Sequence, residues 1–158
     1  MIILVALAAG CGSKGGDTGG DEDVAYAEAM WDEIAEYRSW GQLDGWSSTA
    51  VESGSHTGAP WVVAYYDDAL VSWNLSGDAP DGGTAVKEQW DTREDSTTAE
   101  PALWTAMRKR AGYDPDNGDW FYAWYDGDGS VHSAGMVTLC QGCHAAATTD
   151  HVFGAPPG

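Results

Sequence analysis

The chain has 158 residues and a formal charge of −18, from 25 acidic and 7 basic side chains. That length supports one domain with a core of its own, and that charge argues against nucleic acid and anionic lipid headgroups as partners. It suits a basic redox partner or a small uncharged or cationic ligand, and nine Trp with seven Tyr either fill a β-rich core or wall a pocket.

Residues 1–10 are apolar and then small, too short to span a bilayer. Cys11 follows Leu7-Ala8-Ala9-Gly10, which resembles the lipobox of bacterial lipoproteins, where the signal is cut before the Cys and the thiol is lipidated. Two features depart from that pattern: no Lys or Arg follows Met1, and the apolar run is short. An upstream start codon would account for both. Residues 11–23 form a Gly-rich acidic tether that cannot bury enough to fold. A single domain is expected over 24–158.

Within it, 24–40 has a helical pattern, with Met30, Ile34 and Tyr37 on one face and Asp32, Glu33 and Glu36 on the other. Residues 41–60 read as loop, and 61–66 as a strand that Asp67-Asp68 turns into a second strand over 69–73. Pro80-Asp81-Gly82-Gly83 is a turn into a third strand, 84–88. Residues 101–110 read as a short helix with Leu103, Trp104 and Met107 as its apolar face. A turn over 114–118 leads to an aromatic strand, 120–125, and Asp126-Gly127-Asp128-Gly129 turns it into its partner, 130–136. The expectation is an α+β fold, mainly antiparallel sheet, with an N-terminal helix, short helices, and a last helix near the C-terminus.

That last helix carries Cys140-Gln141-Gly142-Cys143-His144. Cys-x-x-Cys-His is the signal for covalent attachment of haem c, one per chain: two thiols one helical turn apart add to the vinyl groups, and His144 donates a nitrogen to the iron. The rivals are a zinc site completed by His132 or His151 and a thiol redox pair. With Cys11 lipidated and Cys140 and Cys143 on haem, no cysteine is left over.

Several further pieces occur in order along 24–154. They are Ser55-His56-Thr57-Gly58, Thr84-Ala85-Val86-Lys87-Glu88, Met107-Arg108-Lys109-Arg110-Ala111-Gly112-Tyr113-Asp114-Pro115, Asn117-Gly118-Asp119-Trp120-Phe121-Tyr122, the Cys-x-x-Cys-His run, and Asp150-His151-Val152-Phe153. Together they resemble the cytochrome P-460 and cytochrome c′-beta family. The resemblance implies a mainly antiparallel β fold, usually dimeric, with a five-coordinate haem bound by His144 and an open side for a small ligand. The P-460 branch oxidises hydroxylamine and carries a Lys cross-linked to the haem edge. The c′-beta branch lacks that bond and binds nitric oxide or carbon monoxide.

Lys87 is the candidate for the cross-link, since Lys14 lies in the tether and Lys109 at an element end. A Lys in an apolar strand can lose its proton and act as a nucleophile; the simpler reading is a side chain that reaches solvent. Glu88 is a candidate proton acceptor in catalysis, or a solvated edge residue. His56, Trp61 and Tyr65, with Trp73, are candidates for the distal pocket. Residues 61–66 hold no Arg or Lys, where the enzyme branch has an Arg, which favours gas binding. His56 or Met136 as a sixth ligand would instead make the protein an outer-sphere electron carrier. Arg108 and Arg110 either pair with haem propionates or complement a helix end. The Asp clusters at 114–119 and 126–128 are turns before they are calcium ligands. The expected protein is an exported, periplasmic, lipid-anchored cytochrome. Its expected partners are a small ligand (hydroxylamine, nitric oxide or carbon monoxide), a redox protein and a second copy of itself.

Overall fold

Six strands make one antiparallel meander in the computed structural model, which describes residues 19–155 apart from Ser55 and Thr57. The signal-like segment and Cys11 lie outside the described residues. The strands are β1 (Val51–Glu52), β2 (Trp61–Tyr66), β3 (Thr84–Trp90), β4 (Leu103–Lys109), β5 (Trp120–Asp126) and β6 (Val131–Gly135), paired in chain order. Four helices accompany them: α1 (Asp21–Glu33), α2 (Asp68–Trp73), α3 (Asp95–Thr98) and α4 (Thr138–His144). This is the expected α+β class. No helix among the described residues is long and apolar enough to cross a membrane.

Three elements differ from the sequence expectation, besides β1, which forms within the segment read as loop. The N-terminal helix stops at Glu33 and a separate 3₁₀ turn forms over Tyr37–Ser39. Asp32, Glu33 and Glu36 crowd the end of α1 with no basic residue there, the wrong sign for the helix dipole. Residues 69–73 are helix, not strand. Asp67 caps α2 by accepting from Leu70 N at 2.9 Å and Thr84 N at 2.8 Å, so β2 pairs with β3 instead. Residues 103–109 are a central strand, not a helix. Leu103, Trp104 and Met107 suit either period, and β3 and β5 supply hydrogen-bonding partners on both sides of this segment.

The register sorts side chains onto two faces, because neighbours along a strand point oppositely. One face carries the rows Val63–Glu88–Trp104–Tyr125 and Tyr65–Val86–Ala106–Ala123–Ala134. Helix α1 covers it with Ala27, Met30 and Ile34, joined by Tyr37 and Phe121. Tyr125 Oη donates to the carbonyl of Ala27 at 2.8 Å, tying helix to sheet. The opposite face carries Ala64–Lys87–Thr105–Trp124–Ser133 and Tyr66–Ala85–Met107–Tyr122–Gly135. Against this second face lie Leu43, Leu70, Val137, Val152 and Cys140.

Candidate haem site

A cavity opens between the second face and α4. Its walls include Ala64, Tyr66, Lys87, Met107, Tyr122 and Trp124 from the sheet, and Leu139, Cys140, Cys143 and His144 from the helix. Trp46 and His56 close it from the long loop, and Val152 and Phe153 from the C-terminal turn. Cys140 and Cys143 stand one turn apart on α4, neither in a disulfide. Gln141 between them donates from Nε2 to Asp114 at 2.6 Å, which fixes the helix to the turn before β5.

His144 ends α4. Its Nδ1–H donates to the carbonyl of His151 at 2.7 Å, so Nε2 is the nitrogen left to bind a metal. Burial, then the nearby Lys87 charge, pushes its pKa down to about 4, so the ring is neutral at pH 7. Burial likewise pulls Lys87 down to about 8, although the two cysteine sulfurs act in the other direction. Lys87 Nζ is in close contact with His56 Nε2, and His56 Nδ1 lies 2.9 Å from Oγ of the buried Ser53. With Lys87 donating to Nε2, the Nδ1–H of His56 donates to Ser53. Burial and the charges of Lys87 and His144 lower the His56 pKa to about 3.

The residues present suit a haem. The cavity is apolar over most of its wall, and two thiols and an imidazole nitrogen converge on it. Two buried polar atoms on its wall, Tyr122 Oη and Trp124 Nε1, have no hydrogen-bond partner and would meet polar groups of a bound cofactor. The family profile described as cytochrome P-460 matches residues 34–154. The chain belongs to the cytochrome P-460 family. It is therefore a cytochrome whose cofactor is haem. No curated protein matches the chain.

The structure brings Lys87, His56, Cys140, Cys143 and His144 of this cytochrome to one cavity. Glu88, Trp61 and Tyr65 are elsewhere. Glu88 follows Lys87 on β3 and so points through the sheet to the α1 side, where it is 3% exposed. There it accepts from Tyr37 Oη and Arg38 Nε, each at 2.7 Å, and from Tyr65 Oη at 3.1 Å. It is buried on the face opposite the cavity and is not a solvated edge residue. Trp61 packs with Ala50, Val63 and Trp90 under the Arg93 guanidinium. The pocket-facing residues of β2 are Ala64 and Tyr66, the opposite parity.

Arg108 and Arg110 also leave the haem side. Arg108 pairs with Glu33 at 2.6 Å, and Arg110 stacks 3.9 Å from the Tyr26 ring centre. Met136 is 49% exposed and is not part of the cavity wall. His132 stacks on Trp124 and faces Asp126 at 3.2 Å, and no cluster of three His, Cys, Asp or Glu fit to hold a metal ion occurs among the described residues. The sequence reading missed Ser53, Trp46, Tyr122, Trp124 and Phe153. Ser53, Trp46 and Phe153 lie outside the strands, where no strand pattern places them. Tyr122 and Trp124 on β5 needed the register that carries the Lys87 face across the sheet.

Proposed function

We propose that this chain holds one haem c by thioether bonds from Cys140 and Cys143, with His144 Nε2 as its axial ligand and the opposite side open to small nitrogen species. The observation that carries the reading is the engagement of His56. Both of its nitrogens have partners, Ser53 Oγ and Lys87 Nζ, so it is not available as a sixth ligand. This favours ligand chemistry over an outer-sphere electron carrier. When bound, the haem supplies an iron that binds a small ligand and accepts electrons.

The chain's own residues point to hydroxylamine oxidation ahead of simple gas binding. Lys87 is partly buried with a lowered pKa, and His56 accepts its N–H. The lowered pKa raises the share of neutral, nucleophilic amine suited to a third covalent bond, to the haem edge, whose formation gives up two hydrogens to a two-electron oxidant. Once the cysteine sulfurs are thioethers they carry no charge, so the influence that raises the Lys87 pKa disappears.

The optical spectrum and intact mass test this. A Lys87 cross-link gives a ferrous band far to the red and a haem mass smaller by the hydrogens lost at the new bond. An ordinary five-coordinate spectrum with full haem mass selects gas binding. Sharp low-spin bands select the electron carrier, and the absence of covalent haem overturns the reading. We also propose export with lipidation at Cys11, supported by the small-residue run before it and the acidic tether after it. A homodimer is a further proposal, supported by Met136, 49% exposed on the surface outside the cavity. The charge of −18 favours a basic redox partner. Mass of the membrane-extracted protein and light scattering test the anchor and the dimer.

A further inference from the structure

The turn at 149–153 is held more firmly than a chain terminus requires. Asp150 accepts from Lys109 Nζ and from Ala79 N, each at 2.7 Å, and from Trp120 Nε1 at 3.4 Å. The Lys109 and Asp150 side chains are only 13% and 10% exposed. Lys109 Nζ also donates to the carbonyl of Gly118 at 2.8 Å. The pair thus joins the end of β4, the start of β5 and the C-terminal turn.

The backbone there is strained. Asp150 and His151 are consecutive non-glycine residues with φ of 39° and 62°. Such a conformation persists only where surrounding contacts impose it. Gly118 permits the packing: a Cβ on it would come within 2.7 Å of His151 Cδ2. Trp46 Nε1 and Tyr66 Oη both donate to the Phe153 carbonyl, at 3.0 and 3.2 Å, and hold the far side of the turn. The outcome of this strain is one aimed group, the His151 carbonyl, 2.7 Å from His144 Nδ1.

We propose that Lys109 and Asp150 are positioning residues that set the strength of the His144 N–H hydrogen bond, and through it how strongly His144 donates to the haem iron. A well-aligned acceptor on Nδ1–H gives the imidazole more anionic character and makes Nε2 the better donor. The buried ion pair keeps the left-handed turn from relaxing, and a relaxed turn would swing the carbonyl off the ring. The inference rests on the reading of His144 as axial ligand.

The test is resonance Raman spectroscopy of the ferrous holoprotein, which reads the iron–histidine stretch directly. Asp150→Asn removes the charge at constant shape, and Lys109→Arg keeps the cation. The expected result is a lower stretching frequency in Asp150→Asn and a frequency near wild type in Lys109→Arg. If Asp150→Asn fails to fold, Lys109→Leu/Asp150→Leu removes the pair without leaving a lone buried charge, and the same downward shift is expected. Folded variants that keep the wild-type frequency would overturn the proposal and leave the pair a simple staple. A wild-type ferrous haem that is high-spin yet shows no iron–histidine band would instead remove His144 as ligand.

Discussion

Replacing Glu88 with Leu should destabilise the protein strongly and leave the haem site unchanged. The carboxylate is the acceptor for three donors on the α1 side of the sheet. Tyr37 is the most affected. Its hydroxyl already accepts from Trp104 Nε1 at 2.8 Å and needs an acceptor for its own proton. Burial, then Glu88, raises its pKa, so it stays neutral and remains a donor. Orphaning a buried donor costs about 1–3 kcal/mol, and Tyr37 should sit near the middle of that range. Tyr65 is less buried and should cost about 1 kcal/mol. Arg38 is half exposed and keeps Glu100, so its loss is about 0–1 kcal/mol. The sum, about 3–4 kcal/mol, lies within what breaking a buried charged network costs. For a domain of this size it lowers the melting temperature by about 6–16 °C. Thermal melts of the holoprotein would show this, alongside its optical spectrum. Glu88→Gln, which keeps an acceptor oxygen, should fall between. A Glu88→Leu protein that melts like wild type but has an altered haem spectrum or lost turnover would refute the placement of Glu88 on the far face.

Lys87→Leu should retain haem through Cys140 and Cys143, regain full haem mass, and lose any red-shifted ferrous band; mass spectrometry and absorption check it together. Acid stability should depend on His56. Its folded pKa of about 3 lies below the unfolded value near 6.5, so the unfolded chain binds the proton first and stability is lost as pH falls through that interval. His56→Gln should therefore flatten the decline of the urea midpoint between pH 6.5 and 4, and an unchanged slope would count against the burial of this ring. Asp67→Ala removes the cap of α2 and the acceptor for Thr84 N. It should cost about 1–2 kcal/mol in urea titrations with the haem spectrum intact.

The Cys-x-x-Cys-His run, the order of the family motifs and most of the strands are local features, and each was legible residue by residue. Two of the misread segments show where local reading stops. Residues 69–73 depend on whether Asp67 caps a helix or turns a hairpin, and the Thr84 amide that helps decide this lies 17 residues away. Residues 103–109 have side chains compatible with helix or strand, and only β3 and β5 on either side select the strand. Glu88 was misplaced for a related reason: its neighbour Lys87 carries the chemistry, and strand geometry sends adjacent residues to opposite faces.

What the sequence determined alone is therefore the haem signature, the α+β class and Lys87 as the amine of interest, because these rest on residue type and short spacing. Only the tertiary structure decided which face of the sheet the haem side is. It also put Ser53 and His56 behind Lys87 and held the His151 carbonyl against His144 through an ion pair 41 residues apart in the chain. Those contacts follow from strand register and from a strained turn, and neither is written in any short stretch of residues.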